Sequence, residues 1–144
     1  MPIPPLQYDG FLPPGLHLAE IDEIEDRFGK NTSRRKDLFV RLRLFVELAR
    51  HCGALRMFVN GSFVTAKAEP DDVDVVIWVS GKYYELIEQE DKEAIRLEEM
   101  FVKRDPKEPF LVDTAQEWSG WIEFFSRVRG HLNKRKGLVE VKLT

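Results

Sequence analysis

Between Val59 and Val76 the chain runs from an apolar segment into Gly61-Ser62, crosses nine residues, and re-enters a β-branched run through Asp72-Val73-Asp74. Few arrangements of a chain satisfy that order. A glycine at a strand end lets the backbone approach an anion closely, and a helix starting there would add free N–H groups and its positive end. The Ser62 hydroxyl supplies one more donor. On an extended strand, side chains alternate, so Asp72 and Asp74 share one face while Val73, Val75 and Ile77 fill the other. Two carboxylates so close repel each other unless a cation lies between them, and hard oxygen ligands suit Mg²⁺ or Mn²⁺.

The flanking segments place this motif in one α/β (α+β) domain. Arg56 to Asn60 and Val73 to Val79 read as buried strands, the second introduced by Glu69-Pro70-Asp71. Leu38, Leu42, Phe45, Val46 and Ala49 recur at helical spacing after the cap candidates Asn31-Thr32-Ser33, and Leu18, Ile21, Ile24 and Phe28 do so before Gly29. Tyr83 to Val102 reads as one long charged helix. Phe110 to Thr114 is a brief strand candidate, and Trp118, Trp121, Ile122, Phe125 and Val128 form the core face of a further helix. Gly130 to Gly137 reads as a basic loop, and Leu138 to Leu143 alternates as a half-buried final strand. Residues 1–16, with Pro2, Pro4, Pro5, Pro13 and Pro14, read as an extended arm that buries Tyr8, Phe11 and Leu12 against a domain spanning 17–144.

Composition excludes more than it selects. With 144 residues, 43% hydrophobic and 33% charged, the chain can close one core. A net charge of −3 argues against a dedicated nucleic-acid coat or a polybasic membrane binder. Cys52 is the sole cysteine, so neither a disulfide nor a thiolate cluster is expected, and the cytoplasm is the expected compartment. The start of the chain does not have the pattern of a signal peptide, and no apolar run is long enough for a membrane span. His17, His51 and His131 have no spacing that suggests zinc or a triad.

Other residues complete the candidate site. Asp113, within Phe110-Leu111-Val112-Asp113, is the candidate third carboxylate, to hold metal and to orient or deprotonate an incoming hydroxyl; its alternative is a cap for the helix beginning near Thr114. Asp71 falls on the opposite face from Asp72 and reads as a turn residue. Thr65 and Lys67 are candidates for phosphate contact, with solvation the alternative. Arg34, Arg35, Lys36, Arg41 and Arg43 read as a solvated flank, with phosphate or RNA contact the other option. The basic run from Arg127 through Lys136 offers a hold for a phosphate-bearing acceptor, again against simple solvation.

With these residues in view, the chain resembles the minimal nucleotidyltransferases of the DNA polymerase beta-like superfamily, which share Gly-Ser, a spacer and an acid-hydrophobic-acid pair. The arm Phe11-Leu12-Pro13-Pro14-Gly15, the run Asp72 to Val76, the segment Trp121-Ile122-Glu123-Phe124-Phe125 and the ending Lys136-Gly137-Leu138-Val139 are similar to an uncharacterised family of small bacterial proteins within it. The resemblance implies a mixed sheet flanked by helices, Mg²⁺-dependent (or Mn²⁺-dependent) use of a nucleoside triphosphate, and in some cases a toxin–antitoxin or defence setting. Asp72, Asp74 and Asp113 would be the metal and catalytic residues, and Gly61, Ser62, Thr65 and Lys67 would face the nucleotide. The expected function is transfer of a nucleoside monophosphate to a protein or RNA hydroxyl. The alternative is a silent module of the same fold that acts as an antitoxin-like partner. The chain departs from larger relatives in having Phe63 and Val64 directly after Gly-Ser and no separate domain for base or primer.

Overall fold

The structure, a computed structural model, describes residues 3–144; Met1 and Pro2 of the arm lie outside the described residues. Five strands form one mixed sheet in the order β1-β7-β2-β3-β4, comprising β1 (Leu16–Ala19), β7 (Leu138–Val141), β2 (Arg56–Asn60), β3 (Asp74–Trp78) and β4 (Pro109–Val112). β2 runs antiparallel to both neighbours, whereas β1 with β7 and β3 with β4 are parallel. Helices α1 (Ile21–Phe28), α2 (Ser33–His51), α3 (Gly81–Glu88) and α4 (Lys92–Lys103) join one face, and α5 (Ala115–Ser126) covers the other.

The alternation of the strands builds both cores. Met57, Val59, Val75, Ile77, Val139 and Val141 pack with Leu38, Leu42, Phe45 and Leu97 on the first face. Phe58, Val76, Val112 and Leu138 meet Trp118 and Phe125 of α5 on the second. Phe58 stands edge-on to Trp118 at 5.1 Å and to Phe125 at 6.1 Å, and truncating a fully buried phenylalanine of this kind costs about 3–5 kcal/mol. Thr32 caps α2 by accepting from Arg35 N at 3.1 Å, as the polar triplet before it predicts.

Several elements differ from the sequence expectation. The long helix over Tyr83 to Val102 is two: Glu90 takes φ +58°, and Asp91 opens α4 by accepting from Ala94 N at 3.0 Å. An aspartate competing for backbone N–H groups ends one helix and starts the next. Leu18 belongs to β1 rather than to the first helix, because parallel pairing with β7 satisfies its backbone. Val128 leaves α5 for a short hairpin of β5 (Arg127–Val128) and β6 (His131–Arg135), where a basic loop was expected. Within the arm, Leu12 is buried as expected but Tyr8 is fully exposed. Among the described residues, no helix is long and apolar enough to cross a membrane.

Candidate functional site

The carboxylates gather where β2, β3 and β4 end together. Asn60 closes β2 and pairs in register with Asp74, which opens β3. Glu108 lies one step before the Val75–Pro109 pair, and its carbonyl accepts from Val75 N at 3.0 Å. In-register neighbours share a face, so Asn60, Asp74 and Glu108 stand side by side across three strands. Gly61 then turns the chain at φ +93°, a conformation glycine adopts without strain. A Cβ placed there would stand 2.9 Å from Asp72 Oδ1 and 3.4 Å from Asp74 Oδ2. Both carboxylates therefore converge on the one residue that leaves them room.

Arginines from α2 hold the connecting loop. Arg35, only 3% exposed, donates to the carbonyls of Phe28 (3.0 Å), Phe63 (2.6 Å), Thr65 (2.8 Å) and Lys67 (2.5 Å). Arg34 donates to Pro70 O at 2.9 Å and to Asp71 O. These two are loop-organising side chains rather than the solvated flank that their charge run suggests. Buried loop carbonyls need donors, and a guanidinium supplies several at once.

Ser62 opens a three-residue 3₁₀ turn, not an α-helix, so no helix terminus faces the site. Its Oγ accepts from Asp71 N at 3.1 Å and keeps its own hydrogen to donate. Thr65 is committed to the turn: Oγ1 donates to Ser62 O at 2.7 Å and accepts from Lys67 N at 3.2 Å. Lys67 pairs with the exposed carboxylate of Asp71 at 2.9 Å, which gives Asp71 the turn role read from its position.

Burial and like charge dominate the electrostatics. Burial, then Asp72 and Glu108, push the Asp74 carboxyl up to about 7, against the opposing pull of Arg104 and Lys136. Asp72 is raised by burial first and then by Glu108 and Asp71. Glu108 is 4% exposed; Arg41 Nη1 donates to its Oε2 at 2.5 Å, Val73 N does so at 3.3 Å, and its Oε1 has no partner among the described residues. Asn60 Oδ1, on an equally buried side chain, has none either.

Asp113 is not in this cluster. It follows the opposite end of β4, about 16 Å along the strand from Glu108 at ~3.3 Å per residue, where it accepts from Tyr84 Oη at 2.7 Å. Its backbone N–H donates to Glu117 Oε1, and Thr114 provides the α5 cap. The acid beside Asp74 is Glu108, which directly precedes Pro109 at the start of β4 and lies outside the Phe110–Thr114 strand candidate. The parallel register of β3 and β4 decides between the two ends of the strand, and no local pattern contains that register.

Among the described residues, no three His, Cys, Asp or Glu side chains stand together as a ready set of metal ligands, and Glu108 Oε2 accepts from Arg41. The donor chemistry nevertheless fits a hard cation. Two carboxylates with raised proton affinity converge on Gly61; Asn60 and Glu108 at the same sheet end each carry a buried oxygen without a partner among the described residues, and every donor is oxygen.

No curated protein and no solved structure matches the chain. Residues 4–142, from the arm through the last strand, match one family, so the chain belongs to the family of unknown function DUF6932.

Proposed function

We propose that the chain is a Mg²⁺-dependent nucleotidyltransferase that moves a nucleoside monophosphate from a triphosphate to a protein or RNA hydroxyl. The observation that carries this reading is the convergence of Asp72 and Asp74 on Gly61, beside buried Glu108. Asp72 and Asp74, with Asn60 Oδ1 or Glu108 Oε1, would hold the cation, which supplies charge neutralisation for the phosphates when bound. Ser62 Oγ would donate to a phosphate oxygen. As the acceptor oxygen bonds to the α-phosphorus and the bond to pyrophosphate breaks, the hydroxyl proton must leave. Glu108 Oε1, buried and unpartnered, is suited to accept it, and Arg41 is the positioning residue that orients that carboxylate.

One observation favours a second reading. Arg41 already occupies Glu108 Oε2, as an ion pair would in a fold kept for structure alone, and the chain would then act by occupying a protein partner in the manner of an antitoxin. Incubation with each of four labelled nucleoside triphosphates, Mg²⁺ and cell extract separates the two. Label transfer by the native chain and none by Asp72→Ala/Asp74→Ala supports the enzyme. No transfer with any triphosphate, together with partner capture that the double variant retains, supports the binding module.

A further inference from the structure

Lys136 opens the two-residue link between β6 and β7 with its side chain half-buried and, among the described residues, in no ion pair. Its neighbours differ. Lys134 pairs with Asp9 at 2.8 Å, Arg135 with Glu123 at 2.9 Å and Lys67 with Asp71 at 2.9 Å. A desolvated ammonium without a counter-charge is costly, and burial holds the Lys136 pKa below its usual value. The acids that oppose this effect are Asp74 and Asp72.

Lys136 lines a cavity of about 330 Å³ with Asp9, Phe11, Ser62, Thr65 and Lys67. The arm forms one wall and the turn from Ser62 to Lys67 the other. Their spacing is set by the backbone: Ala66 N donates to Gly10 O at 2.9 Å, while Gly137 N donates to Leu12 O at 2.9 Å and holds the link after Lys136 against the arm. A Cβ on Gly137 would overlap Pro13 O and stand 2.8 Å from Leu12 Cβ, so only glycine allows this approach. The volume is at the small end for ligand pockets. Phe11 does not offer a free face for a base, because the ammonium groups of Lys134 and Lys136 lie over its ring at 5.5 and 5.7 Å.

A half-buried cation and a pair of carboxylates, none of them in an ion pair among the described residues, thus border the same turn. One ligand satisfies both: a polyphosphate carrying a divalent cation. We propose that this cavity seats the polyphosphate tail of the substrate, with Lys136 as its principal cation, so that the site selects by phosphate number before base identity. This inference rests on the nucleotidyl-transfer reading. Asp9 does not oppose it, since Lys134 neutralises that carboxylate.

The test is calorimetric titration with inorganic triphosphate and with inorganic phosphate, both in Mg²⁺, which removes the unknown base from the question. Mn²⁺ binding is measured separately. Native protein should bind triphosphate at least tenfold more tightly than phosphate. Lys136→Met should weaken triphosphate by roughly 10- to 100-fold, the loss expected for a charge-assisted contact, with phosphate and Mn²⁺ affected less than threefold. Lys136→Arg should recover most of the affinity. Arg135→Met, which removes the same charge away from the cavity, should change it less than twofold. Thermal melting of Lys136→Met should match or exceed that of the native chain, because a partly desolvated charge without an ion-pair partner is removed. Triphosphate affinity unchanged in Lys136→Met, or a native chain that binds Mn²⁺ but not triphosphate, would overturn the inference and leave the carboxylate site standing. Lys136-dependent triphosphate binding without Mn²⁺ binding would keep the cavity and sink the nucleotidyl-transfer reading instead.

Discussion

Replacing Asp74 with asparagine should stabilise the protein at pH 8 while removing the proposed metal-dependent transfer. In the folded chain, burial, then Asp72 and Glu108, raise this carboxyl from an ordinary 3.8 to about 7. An acid with a raised folded pKa binds more protons in the native state between the two values. Its contribution to stability is therefore full below about pH 4 and lost as pH rises to about 7. At 1.36 kcal/mol per pH unit, that interval sets a ceiling of about 4 kcal/mol, and water at the mouth of the site brings the expected penalty to roughly 2 kcal/mol. For a chain of this size, that is a gain of about 5–8 °C in melting temperature for Asp74→Asn at pH 8 and almost none at pH 4. Urea or thermal unfolding of both proteins from pH 4 to 8, with and without Mg²⁺, measures it. Saturating Mg²⁺ should close the gap by neutralising the native pair. Parallel pH profiles for the two proteins, or an Asp74→Asn variant less stable at pH 8, would refute the reasoning.

Gly61→Ala should cost about 1–2 kcal/mol, from φ +93° and a methyl group 2.9 Å from Asp72 Oδ1, and should lower Mn²⁺ affinity at least tenfold by titration. Arg35→Met should cost about 3 kcal/mol or more, on the order of a broken buried polar network, because three loop carbonyls and the Phe28 carbonyl at the end of α1 lose their donor; a melting curve within about 2 °C of native, an estimate from the same scale, would contradict this. Glu108→Gln should abolish label transfer, whereas Asp113→Ala should retain it and lose only the Tyr84 hydrogen bond, about 0.5–1.5 kcal/mol by denaturant unfolding. The reverse pattern would return the third-acid role to Asp113.

Local patterns reach as far as the spacing they contain. The alternation through Asp72, Asp74 and Val75 shows both which face carries carboxylates and which enters the core, and α2 is legible from its cap and its apolar recurrence. The break at Glu90 and the β5–β6 hairpin are harder, since helical propensity continues through the first and the second depends on its partner strand. Arg35 illustrates the deeper limit. Its neighbours in sequence are charged and one turn from a helix cap, yet tertiary packing buries it beneath the loop it organises.

From its sequence, then, the chain has an α/β domain, two core-facing strands and a carboxylate pair next to a Gly-Ser turn, because each depends on periodicity or on residues within one strand's reach. Only the tertiary structure decides that Glu108 rather than Asp113 stands beside Asp74, that Asn60 and Glu108 carry unpartnered buried oxygens, and that Lys136 reaches the same turn from the far end of the chain. Those three facts follow from strand register and from the arm's packing on Gly137, which are contacts between segments distant in sequence.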